Sequence, residues 1–541
     1  MIPRRFLETI KRHSAILIFI VSYLAITLFT YKDFGLTWDE PVNYNKGVAS
    51  YEHIFCKKVA RTWTFNKING WMDIQDGSDF AHFERLRNPD QQNLYYYLHY
   101  SAFYPMILFV FNNDKSIDKY HLLNMVFALV VFLTVYSLFY KQYHDQKIAM
   151  LAPLFLFLTP RFTGDIPANP KDVPFAVMYF ISCAALYLFA SREKVLTKIL
   201  CLGILFGMTQ NIRSAGVTLY AILFLYDTYA YHQDRRSNAP PPMTWTEFLG
   251  REIQTVILVG MVALFFSFLT WPYLAANLIP NLKEVFAIQR GYTWNETVLY
   301  NGSYIEGTKL PGSYFTTWFA ISTPLMVLLP ALLSPFLIRK RFQHRLFVLF
   351  FFMLTLNTAA YLMVRPVVYD GVRLFLFLVP PLVSLAALAV IEFCKANKKR
   401  LVTAIIGILI AINAGAVLKE MISLHPYQYI YFNALVGGLE GAYKNYDTEY
   451  WGASYNEAIN WFKENIAVDK KKIYKIHIEG IKYYVVYQAR NIRKVPFEEA
   501  EYFFWLTRRM KEEPKKEEIL HVVQRKGIPL AFITRKTQPG G

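Results

Sequence analysis

Charge is scarce in this sequence. Asp, Glu, Lys and Arg make up 18% of its 541 residues, against about 25% in an ordinary soluble chain. The deficit is concentrated in apolar stretches separated by short basic connectors, and the mean hydropathy is +0.22. That arrangement excludes a soluble enzyme, a fibre and a disordered chain. Only four cysteines occur (Cys56, Cys183, Cys201 and Cys394), none in a Cys-x-x-Cys pair, which excludes a disulfide scaffold. No His/Cys/Asp grouping has zinc spacing. There is no glycine-rich phosphate loop and no Gly-x-Ser-x-Gly. The net charge of +18 sits in the connectors rather than on one amphipathic face, so no nucleic-acid partner is expected. What remains is a polytopic membrane protein.

Eleven helical spans are expected, at 14–30, 120–140, 148–160, 173–190, 197–210, 215–231, 253–271, 318–338, 346–364, 372–393 and 401–418. The first follows Arg4, Arg5, Lys11 and Arg12 with no small-residue cleavage site after it, so it reads as a retained signal anchor. Lys and Arg number 20 in one alternate set of short loops and 8 in the other. The first set is therefore cytoplasmic, giving an N-in, C-out topology. Residues 94–111 are apolar enough to span, but a span there would invert every later loop. They are expected as an interfacial or re-entrant helix. The chain divides into a membrane domain, 1–418, with a long first outer loop at about 31–119, and an outer α/β domain, 419–541. In the tail a helix is expected over 454–466 and strands at 473–478, 483–487, 502–506, 519–523 and 530–534, with a tight turn at Arg525-Lys526-Gly527.

The polar clusters all fall in loops assigned to the outer side. Asp39 and Glu40 lie in Gly-Leu-Thr-Trp-Asp-Glu-Pro, just past the first span. Adjacent acids on a loop are ordinarily solvated. Trp38, Pro41 and Tyr44 suggest instead a rigid, partly buried turn in which a carboxylate can act as general base. A second cluster packs Asp165, Asn169, Lys171 and Asp172 between Arg161 and Pro174. Helix capping accounts for Asp172 but not for the rest, which suit the lining of a water-filled cavity. Arg213 interrupts an apolar hairpin, either snorkelling to the headgroups or facing a partner. Tyr369, Asp370 and Arg373 form a further cluster, and arginines of this kind suit bidentate recognition of a lipid phosphate.

Trp38-Asp39-Glu40-Pro41, Asn169-Pro170-Lys171-Asp172-x-Pro174-Phe175, Tyr369-Asp370-Gly371-x-Arg373 and His425-Pro426-Tyr427-Gln428-Tyr429 resemble motifs of the C-type integral-membrane glycosyltransferases. The branch is that of the protein O-mannosyltransferases and the aminoarabinose transferase of lipid A. The resemblance implies an all-α membrane bundle, a polyprenyl-phosphate-linked sugar donor and work on the outer face, in bacteria that of the inner membrane. It implies that Asp39 matches the catalytic aspartate, Glu40 its partner and Asp172 a second acid. Arg213, Arg373 and His425 fall in matching motif regions. The chain lacks the central sensor-type domain of the O-mannosyltransferases and differs from the aminoarabinose transferase in its tail, which leaves sugar and acceptor open. The expected reaction is inverting glycosyl transfer with Asp39 as base and with Asp165, Asn169, Lys171, Arg213, Tyr369, Asp370, Arg373 and His425 binding substrate. A monophosphate donor does not require a metal; a pyrophosphate donor would favour a divalent one, for which the sequence has no clear site. Two other readings stand beside this one, a flippase of lipid-linked saccharide and an anchoring protein. The flippase sits poorly with acids at the outer surface rather than near the bilayer midplane and with the lack of evident repeat symmetry. The anchoring protein, whose tail would be the functional part, sits poorly with polar clusters in four separate outer loops.

Overall fold

The computed structural model describes residues 12–55, 101–112, 117–189, 195–236, 243–292, 294, 296–338, 340–397, 399–479, 491–510, 514–515 and 518–536. It is a helical membrane bundle with a small sheet at its C-terminal end. Each of the eleven expected spans coincides with a helix or a broken helix. Among the described residues six helices are long and apolar enough to cross a membrane: Ile117–Tyr143, Asp172–Phe189, Trp245–Thr270, Arg345–Val364, Arg373–Ala396 and Arg400–Leu424. Ser14–Thr30, Gln146–Phe157, Val195–Gln210 and Leu325–Leu337 are apolar but shorter.

Local chemistry sets the helix ends. Thr244 and Glu247 form a reciprocal capping box at the start of Trp245–Thr270. The Asn169 side chain accepts from the Asp172 backbone N–H at 2.8 Å, fixing where the Asp172–Phe189 helix begins. The span expected at 318–338 is in fact two helices, Ser313–Ser322 and Leu325–Leu337, because Pro324 cannot donate to the helical ladder. Carbonyls at the break are not left bare: the Asn433 amide donates to Ala320 at 2.6 Å and to Thr323 at 2.7 Å.

Burial orders the bundle. Of the most apolar 18 residues of Arg373–Ala396, 83% are buried, which places it centrally, whereas only 6% of the corresponding stretch of Arg400–Leu424 is buried and its apolar surface turns outward. One continuous core runs from Ile16 in the first helix to Ile533 in the last strand.

Of the segment 94–111, residues 94–100 lie outside the described residues, and Phe103–Phe111 is a nine-residue helix. At 1.5 Å per residue it is far too short to span. It packs on the helix Asp39–Ile54, where a Cβ on Gly47 would stand 2.6 Å from the Pro105 carbonyl. Glycine is what lets these two helices touch.

The sheet at the C-terminus has the order β4-β3-β5-β7-β6 (β3 Tyr474–Ile478, β4 Ile492–Lys494, β5 Tyr502–Leu506, β6 Ile519–Arg525, β7 Ile528–Arg535). β3 runs parallel to β4 and β5, and β7 antiparallel to β5 and β6. The helix Tyr455–Asn465 packs against it. Lys526 and Gly527 both have positive φ, as a two-residue hairpin turn demands. The strand expected at 483–487 lies outside the described residues. β4 was not anticipated, nor was the hairpin β1 (Thr297–Tyr300) with β2 (Ser303–Glu306).

Candidate active site

Arg373 is the centre of the site. It follows a turn in which Asp370 and Gly371 both take positive φ (58° and 68°). A Cβ on Gly371 would meet the Trp318 ring at 3.0 Å, so the turn needs glycine there. The turn aims the guanidinium into the bundle, where it is held by three carboxylates. Nε donates to Asp172 Oδ2 at 3.0 Å, Nη1 to Asp370 Oδ2 at 2.8 Å, and Nη2 pairs with Asp39 Oδ2. The indole of Trp451 covers the face of Arg373, 4.0 Å from its centroid.

The three acids differ in access. Asp172 and Asp370 are each 2% exposed, whereas Asp39 is 35% exposed. Asp39 is the one open carboxylate on Arg373.

The network extends on both sides. Arg213 pairs with the other oxygen of Asp172. Arg508, from the turn after β5, pairs with Asp370 Oδ1 at 2.5 Å and donates to the Tyr450 carbonyl at 3.0 Å. Asp165 accepts from the Trp451 indole N–H at 3.1 Å and the Asn169 amide at 3.4 Å. Arg161 is buried over the Trp318 and Phe432 rings, 4.9 Å from each. Beyond Asp172, Lys171 and Lys46 complete a basic patch. Burial pushes the Lys171 amine down to about 8, with Arg213 adding to the shift and Asp172 opposing it. Burial and then Lys171 push Lys46 down to about 7.

Nine of the eleven residues singled out from sequence gather here: Asp39, Asp165, Asn169, Lys171, Asp172, Arg213, Tyr369, Asp370 and Arg373. Tyr369 stacks on Trp294 at 4.7 Å and flanks Arg373. Two do not join them. Glu40 turns inward, accepting from the Thr37 N–H at 2.7 Å and hydroxyl at 3.1 Å and bonding His121 Nε2 at 2.7 Å. It holds the start of the Asp39 helix instead of facing the open side. His425 pairs with Asp33 at 2.8 Å, and its carbonyl accepts from Arg525 at 2.9 Å.

Sequence reasoning missed Lys46, Arg508 and Trp451, together with Glu449. Glu449 is buried and accepts from the Tyr429 hydroxyl at 2.6 Å and from the Trp451 and Gly452 N–H groups at 2.8 Å each. The available signal was the run Tyr446-Asp-Thr-Glu-Tyr-Trp451, too rich in acids and rings for a plain linker. Lys46 stands seven residues, two helical turns, after Asp39, on the same face. Among the described residues no three His, Cys, Asp or Glu side chains are grouped as metal ligands. At the centre of the three carboxylates sits the guanidinium of Arg373.

Burial raises several of these acids. Asp165 is pushed up to about 7, against the pull of Arg161 and the Trp451 hydrogen bond. Asp370 also rises to about 7, with Arg508 opposing and neighbouring acids reinforcing the shift. An acid with a raised folded pKa holds its proton more tightly when folded. Its contribution to stability is therefore full below the unfolded value near 4 and is lost as pH rises through about 7. Asp165→Asn keeps an acceptor for Trp451 and has no charge to bury. Between pH 5 and pH 8 the melting temperature of the wild type is expected to fall further than that of Asp165→Asn. Equal falls would contradict this assignment.

Residues 101–250 match the family described as dolichyl-phosphate-mannose-protein mannosyltransferase. Within this stretch lies the Asn169-Pro170-Lys171-Asp172 motif, one of the four on which the resemblance was read. The matched stretch contains Asp165, Asn169, Lys171, Asp172 and Arg213, while Asp39 and Arg373 lie outside it. No curated protein matches the chain. Among solved structures it is similar to ArnT from Cupriavidus metallidurans bound to undecaprenyl phosphate, at 11% identity and TM-score 0.47, covering 88% of this chain and 85% of that one. It is also similar to the archaeal oligosaccharyltransferase AglB from Archaeoglobus fulgidus, in complex with an inhibitory peptide and a dolichol-phosphate, at 13% identity and TM-score 0.41. That match covers 86% of this chain and 62% of the archaeal one.

Proposed function

We propose that this protein is a glycosyltransferase that moves a sugar from a polyprenyl-phosphate donor to an acceptor hydroxyl at the outer face of the membrane, with inversion. The observation that carries the reading is the arrangement around Arg373: three carboxylates converge on one guanidinium, only Asp39 is open, and Lys46, Lys171 and Arg213 lie on the adjoining side. The family match over residues 101–250 supports it.

In the proposed reaction the donor phosphate rests on Lys46, Lys171 and Arg213. Asp39 takes the proton of the acceptor hydroxyl as its oxygen attacks the anomeric carbon. The bond from that carbon to the phosphate oxygen breaks, and polyprenyl phosphate leaves as an anion. Cations fixed beside the leaving oxygens stabilise the charge that develops there without having to reorganise. Arg373 holds Asp39 in place, while Asp172 and Asp370 hold Arg373. The outer, periplasmic or lumenal, placement rests on the excess of Lys and Arg in the opposite loops.

The test is release of free polyprenyl phosphate, read by mass spectrometry, from a panel of polyprenyl-phosphate sugars incubated with the purified chain. At least one donor is expected to turn over. Release from none of them, with the protein still folded, overturns the reading.

The basic patch makes a separate prediction. The two amines lose their protons as pH rises through about 7 for Lys46 and about 8 for Lys171. Affinity for polyprenyl phosphate is therefore expected to weaken from pH 6.5 to pH 8.5. Lys46→Met should weaken it about tenfold at pH 6.5, the size of one charged hydrogen bond, and should flatten the pH dependence. Native mass spectrometry across that range checks both. An unchanged profile in Lys46→Met would remove this lysine from the phosphate site.

A further inference from the structure

Arg508 pairs with Asp370 in the network, and it also lines a separate cleft of about 490 Å³. The walls are the β1–β2 hairpin, residues 443–448, the turn 507–510 and Phe532 of β7. Hydrogen bonds stitch these pieces together. Gly302 N–H donates to the Asn445 carbonyl at 3.0 Å, Asp447 N–H to Leu299 at 3.2 Å, and the Tyr304 hydroxyl to the Met510 carbonyl at 2.9 Å. The cleft is thus built from elements fixed against one another.

Its lining is mixed. Tyr304, Tyr443, Tyr446 and Phe532 supply rings, Thr448 and Thr507 supply hydroxyls, and Lys444 supplies an ammonium. The floor holds Asp447, 2% exposed, with one oxygen accepting from Leu299 N–H at 3.3 Å. Its other oxygen, Oδ1, is buried with no hydrogen-bond partner among the described residues. A buried acceptor left unsatisfied is costly, so a ligand hydroxyl donating to it gains more than an exposed contact would. Arg508 lies between Asp447 and Asp370, one guanidinium for two carboxylates. Arg508 and Lys444 on one side and Asp447 and Asp370 on the other offset one another, so the cleft holds no excess charge to draw an anion, and the bare Oδ1 suits a neutral donor of hydroxyl hydrogens. Flat rings, a few placed polar groups and this volume are the usual makings of a small-molecule site.

We propose that the cleft binds a neutral saccharide unit of the acceptor, resting on the glycosyl-transfer reading given above. Ring faces of the sugar lie on the tyrosines, and its hydroxyls donate to Asp447 Oδ1. The acceptor would then be a glycan, and Arg508 would link its binding site to the charge network around Arg373.

Saturation-transfer NMR tests this on the full chain in amphipol, which has no sugar headgroup. The probes are the methyl glycosides of mannose, glucose and galactose, with methyl glucuronide as the anionic comparison. At least one neutral glycoside is expected to receive saturation, and glucuronide less. Tyr304→Ala, at a half-exposed hairpin position, and the isosteric Asp447→Asn should each reduce the signal at least fivefold. Asp39→Asn should leave it unchanged. No signal from any neutral glycoside, or signals that persist in both cleft variants, overturns the proposal. Displacement of the glycoside by a polyprenyl-phosphate sugar would give the cleft to the donor and overturn it equally. The readout does not depend on turnover. A cleft that binds glycoside in a chain that releases no polyprenyl phosphate would therefore count against glycosyl transfer alone.

Discussion

Arg373→Leu is expected to cost the folded bundle about 3–5 kcal/mol and to abolish turnover. The leucine fills part of the volume but leaves Asp172 and Asp370, both buried, without the guanidinium that compensates them. Arg213 still reaches Asp172 and Arg508 still reaches Asp370, which is why the expected cost does not exceed the range for one broken buried pair. Arg373→Lys separates the two roles of this residue. An ammonium keeps the charge but cannot address three carboxylates through one rigid plane, nor stack as well on Trp451. Its melting temperature is expected to fall between those of the wild type and Arg373→Leu. Activity should drop about 100-fold, the cost of a misplaced reacting group. Thermal unfolding alongside polyprenyl-phosphate release measures both. Full activity in Arg373→Lys would mean that Arg373 supplies charge alone and does not orient Asp39.

Asp39→Asn is expected to do the opposite, leaving the fold and removing the chemistry. Asp39 is a third exposed, and the asparagine oxygen can still accept from Arg373. The melting temperature should therefore stay close to that of the wild type. Asparagine cannot take a proton at neutral pH, so turnover should fall by a factor of about 10²–10⁴, the usual contribution of a general base. Affinity for the donor should hold, since the phosphate rests on Lys46, Lys171 and Arg213 rather than on Asp39. A variant that turned over at the wild-type rate would take the base away from Asp39 and leave the transferase reading standing. A variant that lost donor binding would move Asp39 into the binding site.

The sequence made one kind of residue easy to find. Asp172, Asp370 and Arg373 are charges in short turns between apolar runs, where a charge beside the membrane needs a reason, and Asp39 stands in a Trp-Asp-Glu-Pro run just past the first span. Their convergence on a single guanidinium was not legible, because hydropathy and periodicity say nothing of which loop meets which. Glu40 shows the limit at its finest grain. Consecutive helical residues point about 100° apart, so two adjacent acids cannot both face the substrate, and composition does not say which one does. The packing of Thr37 and His121 decides it. Arg508 and Trp451 were hidden for another reason: they come from the polar tail, where charges and rings are ordinary. The tail's periodicity did give the Tyr455–Asn465 helix and four of the five strands' neighbourhood, since alternation marks a half-buried sheet well. β4 has three residues, too few for any alternation to register.

The site draws its parts from the whole length of the chain: Asp39 near the start, Asp172 and Arg213 in the middle, Arg373 late, Trp451 and Arg508 near the end. During synthesis the ribosome delivers these in that order. A half-made bundle holds its acids without the arginine that gathers them, and an almost finished one still lacks the indole lid over that arginine. The network around Arg373 therefore cannot close until residues as late as Trp451 and Arg508 have been made.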